Sequence, residues 1–185
     1  MGALRRTEGV QTATLAAPRP TRYATRPRFE AAAEEHLDAV YGYLLYLCRN
    51  ATVAEDLASE TFEKALRRWR RFDPLRGSAR TWLLAIARST ALDWFRAEER
   101  RQRREQAAAP PDRHEDEILE GLSPELERAL AALSAGEREV IVLRIVLELD
   151  GAATARVLGI SETACSTRLS RALQKLEERM TDEHR

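Results

Sequence analysis

Arg76, Arg80, Arg88 and Arg96 punctuate the stretch RGSARTWLLAIARSTALDWFR, and Trp82, Trp94 and Phe95 stand between them. A guanidinium offers a fork of donors that matches a phosphate, and an aromatic face stacks on an unpaired base. Gly77-Ser78 opens the stretch with a residue that lets backbone approach a ligand closely. These side chains could therefore hold one strand of DNA by its backbone while accepting an unstacked base. On a helical wheel Leu83, Ile86, Ala87, Thr90 and Trp94 share one face, and Arg88, Ser89, Leu92 and Arg96 lie broadly opposite. The arginines thus form an outer basic strip. The same residues also suit a plain alternative, in which the aromatics fill a core and the arginines solvate its outside. On this stretch alone both readings stand.

A second constellation lies in DGAATARVLGISETACSTRLSRALQKL, Asp150 to Leu176. Asp150 is placed to cap a short helix carrying Ala155, Val157 and Leu158, and Gly159 supplies a left-handed turn. Ser161 caps the next helix, from which Cys165 and Leu169 face inward. This is the pattern of a helix-turn-helix. The outward set is Glu162, Thr163, Ser166, Thr167, Arg168, Ser170 and Arg171. Short polar side chains with interspersed arginines suit a helix entering a major groove.

Other chemistries find little support. Cys48 and Cys165 are far apart, with no CxxC and no histidine at ligand spacing, so they read as small core hydrophobes rather than a disulfide or metal pair. His36, His114 and His184 sit in unrelated contexts, without a nucleophilic triad or phosphate loop. The expectation is a non-enzyme with no cofactor, no metal and no small-molecule substrate. No apolar run approaches the roughly 20 residues of a membrane span, and the N-terminus lacks the apolar segment of a signal peptide. No membrane insertion and a cytoplasmic location are expected.

Formal net charge is zero, yet its distribution is uneven. Residues 1–28 hold six arginines against one glutamate, whereas residues 105–135 hold eight acidic side chains against two basic ones. A basic arm and an acidic linker cancel each other.

The elements that must position these groups read as helices almost throughout. Residues 1–28 lack periodicity and read as a disordered basic arm. Leu37, Val40, Tyr41, Leu44, Leu45 and Cys48 recur at helical steps until Asn50-Ala51 breaks the pattern. Thr52 to Glu55 fits a capping box that opens a helix reaching about Trp69, with Leu57, Thr61, Ala65 and Leu66 inward. The loop from Phe72 to Gly77 follows, and Ser78 caps the next helix. Residues 102–122 have linker composition; Ser123-Pro124 starts a helix, and Ser134 to Glu137 forms another capping box. The fold expected is all-α: a helical unit over 29–101 and a helix-turn-helix unit over 123–180, joined by a flexible strap.

These blocks carry a resemblance. Ala54 to Arg101 resembles region 2, and Leu133 to Leu176 resembles region 4, of an extracytoplasmic-function (ECF) sigma factor of bacterial RNA polymerase. The resemblance implies a dissociable initiation subunit whose partners are core RNA polymerase and promoter DNA, with an anti-sigma factor as an open third. It implies clamp docking at Asp56, Leu57, Ser59, Glu60 and Thr61, with Phe62 beneath as core. It implies −10 recognition and melting at Arg76, Gly77, Ser78, Arg80, Arg88, Ser89, Asp93 and Arg96. It implies −35 reading at Ser161, Glu162, Thr163, Ser166, Thr167, Arg168 and Arg171, with a polymerase-flap contact from the same half. The chain departs from the family pattern at Ser59, where Gln is usual, at Ser89 (Asn), at Glu148 (a turn Gly) and at Ser166 (Lys). Thr154 takes an aliphatic core position, and Ala152-Ala153 replace an acidic pair. Two other readings fit the same motifs: a helix-turn-helix regulator acting without core polymerase, and a sigma-like adaptor that titrates an anti-sigma factor.

Overall fold

The computed structural model describes residues 26–105 and 124–182; most of the basic arm and of the linker, with Ser123, lies outside the described residues. α1 spans Phe29–Cys48, α2 Ala51–Arg68 and α3 Ala79–Glu105, with a 3-10 turn at Trp69–Arg71. α4 is Pro124–Ala131, α5 Ala135–Ile141, α6 Gly151–Leu158 and α7 Glu162–Asp182. Among the described residues there is no strand.

Local chemistry explains the helix ends. Arg49 adopts a left-handed conformation (φ 49°) and its N–H closes α1 onto the Leu45 carbonyl. Asn50 then caps α2, its side chain accepting from the Val53 N–H at 3.0 Å. The expected cap at Thr52 is therefore corrected: the asparagine two residues earlier reaches the free amides first, so Thr52 and Glu55 lie within the helix. The expected box at Ser134 is present, its hydroxyl meeting the Glu137 N–H and the Glu137 carboxylate accepting from the Ser134 N–H. Asp150 caps α6 through Ala153, and Gly159 ends that helix at φ 67°. Between α5 and α6 the chain forms a π-helical turn, Val142–Val146, with the Leu147 N–H reaching the Val142 carbonyl. Glu148 follows at φ 51°, left-handed backbone at the position where the family pattern prefers glycine.

α1, α2 and α3 pack on one another, α7 packs on α4, α5 and α6, and α3 also packs on α6. One apolar core results. It runs from Val40, Leu44, Leu57, Leu83 and Ala87 through Val140, Leu143, Leu149, Val157 and Cys165. The two helical units, expected to be linked only by a strap, share this core. A second cluster gathers Phe29, Trp69, Phe72 and Trp82, in which Trp69 and Phe72 stack with ring centroids 4.8 Å apart. The Trp69 indole donates to the Pro27 carbonyl at 3.2 Å.

Two readings of the apolar stripes and one omission from them need revision. Leu37 is 50% exposed and Leu66 56% exposed, so the apolar stripes of α1 and α2 extend past the faces their neighbours cover. Tyr43, absent from the expected stripe, is fully buried.

Candidate polymerase and promoter surfaces

α2 presents Asp56, Ser59 and Glu60 to solvent. Glu60 pairs with Lys64 at 2.7 Å, and Lys64 also donates to the Thr90 hydroxyl on α3 at 3.2 Å, tying the two helices together. Leu57 and Thr61 are placed differently. Both are buried, at 3% and 0% exposure, so their side chains lie beneath the exposed face of α2. The Thr61 hydroxyl has no hydrogen-bond partner. Phe62 is partly buried against the core.

The loop before α3 is ordered by its own polar groups. Asp73 Oδ1 accepts from the Leu75 N–H at 3.0 Å, and the Asp73 carbonyl accepts from Arg76 at 3.0 Å. Ser78 Oγ accepts from the Thr81 N–H at 3.2 Å, as a helix cap should. A cavity of about 220 Å³ opens here, its walls including Phe72, Arg76, Gly77, Ser78 and Trp82. Arg156 of α6 closes one side, its guanidinium donating to the Arg76 carbonyl above Gly77.

Along α3, Ser89, Asp93 and Arg96 are exposed, with Arg96 bonded to Asp93 at 2.9 Å, while Arg80 is half-buried. Arg88 is not on an outer strip. Its Nε donates to Glu139 Oε1 at 2.8 Å and its Nη2 to Oε2 at 3.3 Å, leaving the side chain 23% exposed. Glu139 is carried by α5, and periodicity within α3 carries no trace of that partner. The Tyr43 hydroxyl donates to the same Glu139 oxygen at 2.6 Å. Burial, reinforced by the Glu139 charge, pushes the Tyr43 phenol well above its ordinary value, so it stays a donor. The aromatics follow the core reading: Trp82 meets Trp69 edge to face in the second cluster, while Trp94 and Phe95 meet edge to face at 5.1 Å and pack on the main core.

Ser161, just before α7, and Glu162, Thr163, Ser166, Thr167 and Arg171 on it all reach solvent. Ser161 Oγ accepts from the Ala164 N–H at 3.1 Å, capping the helix. Arg168 is half-buried and lies over Gly136 of α5; a Cβ at Gly136 would stand 3.3 Å from its Nη1. Cys165 is buried beneath this face, and burial raises both cysteine thiols, Cys48 to about 11. Among the described residues no group of three metal-ligating side chains gathers, and no helix is long and apolar enough to cross a membrane.

A shared all-helical core, an acidic exposed face on α2, a polar loop with arginines on α3 and a capped helix-turn-helix are the parts of a two-region sigma factor. Residues 32–101 match the Sigma-70 region 2 family, and residues 123–176 match Sigma-70, region 4. The chain is 34% identical over 162 residues to the ECF RNA polymerase sigma factor BldN of Streptomyces coelicolor, covering 82% of this chain but 60% of BldN. It is 31% identical over 157 residues to the ECF sigma factor SigX of Bacillus subtilis, covering 76% and 77% of the two chains. In structure it is similar to the sigma factor RpoE of Bartonella quintana, solved in complex with the anti-sigma factor NepR. There the TM-score is 0.67 at 24% identity, over 83% of this chain and 96% of that one. The chain belongs to the ECF sigma factors, the class of RNA polymerase subunit that binds the core enzyme and recognises promoters.

Sequence reasoning missed three residues that the structure brings to these surfaces: Tyr43, Glu139 and Arg156. Their contacts join positions 96, 51 and 80 residues apart, beyond the range of any local signal.

Proposed function

We propose that residues 29–101 act as the unit that docks on core polymerase and opens the −10 element, and residues 123–180 as the unit that reads the −35 element. The observation that carries this is the order of the two matched regions, each with its expected exposed face: Asp56, Ser59 and Glu60 on α2, and the polar side of α7. Exposed carboxylates steer α2 towards a basic partner surface and set its register. Arg76, Arg80, Arg88 and Arg96 hold phosphates of the separated strand, with Gly77, Ser78, Ser89 and Asp93 between them. A base pulled from the stack costs a few kcal/mol, and the preformed loop above the Phe72 and Trp82 rings lowers the ordering cost of holding it. Glu162, Thr163, Ser166, Thr167, Arg168 and Arg171 face the −35 major groove, with Ser161 at the helix start. With Ser166 in place of lysine, one phosphate contact is missing and the salt dependence is shallower by about one unit.

On this reading the protein performs no catalysis of its own and works in the cytoplasm, where promoter and polymerase are. An anti-sigma factor completes the set of partners, as RpoE has in its complex with NepR. The test adds the purified protein to core RNA polymerase and fragmented genomic DNA and maps transcript 5′ ends. Discrete new starts sharing two upstream elements are expected. None, from a polymerase active with another sigma factor, would refute the proposal.

A further inference from the structure

Residues 1–25 carry Arg5, Arg6, Arg19 and Arg22 against the single Glu8, and neither matched region includes them. The point where this segment joins the fold is fixed by several contacts. The Arg26 guanidinium donates to the Trp69 carbonyl at 3.3 Å and to the Arg70 carbonyl at 3.1 Å, so one side chain holds two carbonyls of the 3-10 turn. The Trp69 indole donates to the Pro27 carbonyl at 3.2 Å, and Phe29 meets the same indole edge to face at 5.4 Å. Pro27 lines one cleft with Leu75, Arg76 and Gly77 of the loop before α3. The arm therefore leaves the fold beside the proposed −10 loop.

Basic side chains stand around that exit. Arg68, Arg70, Arg71 and Arg76 are exposed. Among the described residues Arg68, Arg70 and Arg71 have no carboxylate partner, whereas Arg67 pairs with Glu63 at 2.7 Å. Arg71 and Arg76 line a single cavity at the loop. A helix dipole favours cations in the last turn, which accounts for Arg67 and Arg68 at the end of α2. It does not extend to Arg76 on the loop, nor to the four arginines ahead of Arg26.

We propose that residues 1–28 are a DNA-binding arm: Arg26 fixes its root beside the −10 loop, and Arg5, Arg6, Arg19 and Arg22 bind backbone phosphates of the promoter DNA flanking that element. The proposal rests on the assignment of the loop to the −10 element. Each guanidinium offers a phosphate two parallel donors. Chain geometry sets the reach. At about 3.5 Å per residue, Arg22 lies within about 14 Å of Arg26, Arg19 within about 25 Å and Arg5 within about 75 Å. One turn of duplex is about 34 Å long, so phosphates a full turn from the loop are accessible. Charge argues against the polymerase docking surface as the arm's partner. α2 meets that surface with Asp56 and Glu60, which calls for a basic partner that repels the arm. Those carboxylates also stand roughly 15 to 20 Å along the helix from Arg70, at about 1.5 Å per residue. Phosphate contacts of this kind tighten binding without altering which promoter is read.

The experiment assembles holoenzyme from core RNA polymerase and either the full chain or a variant combining Arg5→Ala, Arg6→Ala, Arg19→Ala and Arg22→Ala. Fluorescence anisotropy reads affinity for a labelled duplex of about 40 base pairs with a central mismatched bubble, from about 50 to about 300 mM salt. Native gels read binding to core polymerase. The variant is expected to bind the probe about tenfold or more weakly at about 0.1 M salt, with core binding unchanged. Its slope of log affinity against log salt is expected to be shallower by about three units, since each lost phosphate contact removes about 0.9. An unchanged slope would overturn the proposal. Weakened core binding at an unchanged slope would overturn it too, by placing the arm on a protein surface. In either case Arg76→Ala locates the fault. If that substitution weakens binding to the bubble, the −10 assignment stands and the arm alone falls; if it does not, the assignment of the loop falls as well.

Discussion

Single residues divide the proposed docking face into those that touch a partner and those that hold the helix. Thr61 matches the docking stretch by position, yet its hydroxyl is buried and unpartnered. A buried hydroxyl without a partner costs free energy that an isosteric methyl does not. Thr61→Val is therefore expected to raise unfolding stability by about 1 kcal/mol in urea titrations, with polymerase affinity unchanged; weakened assembly would return Thr61 to the contact surface. Glu137 shows how one carboxylate ties an element in place. Its hydrogen bond with Lys175 at 2.6 Å, with those from Ser134, lowers its pKa from 4.5 to about 2. A lowered folded-state pKa means stability that is present above pH 4.5 and lost as pH falls towards 2. Acid titration of the melting temperature should show this loss in the parent and a shallower one in Glu137→Gln. Identical acid limbs would contradict the assignment.

At the scale of elements, the sequence was most legible where one helix end is governed by residues within four positions of it. The Ser134 box, the Asp150 cap and the Gly159 turn are such cases. Thr52 shows the limit, because two capping residues competed and the upstream asparagine prevailed. Leu37 and Leu66 show another: a stripe states what a helix can bury, and the neighbours decide how much of it they cover. Glu148 lies between these cases, a turn position legible as unusual and left-handed in the structure. A non-glycine residue there costs roughly 1 kcal/mol or more, part of which glycine returns as unfolded-state entropy. Glu148→Gly is expected to raise the melting temperature and Glu148→Val to lower it; the opposite order would show that the turn is not strained. On α2, Asp56→Arg reverses charge on an exposed face and leaves the core untouched. It should weaken core-polymerase binding about tenfold or more in a pull-down titration while the helical spectrum stays the same. Unchanged affinity would remove Asp56 from the interface.

At the scale of the whole molecule, the pairing of α3 with α6 and the burial of Arg88 against Glu139 lay beyond local reading. Residues 51 positions apart, on two units expected to be independent, create the most enclosed ion pair among those described. The family, the helical class and the two exposed faces could be read from motif order, because each motif is local. How the halves sit together could not, because that depends on apolar surface left over after each unit folds. The central claim is a division of labour: α2 binds polymerase, whereas the arginines of α3 keep the promoter strands apart. The most direct measurement takes Arg88→Ala with Arg96→Ala, assays core-polymerase binding by native gel, and maps unpaired promoter thymines with permanganate. Binding close to that of the parent with no reactive thymines is the predicted result. Equal loss of binding and opening, or opening undiminished, would contradict it.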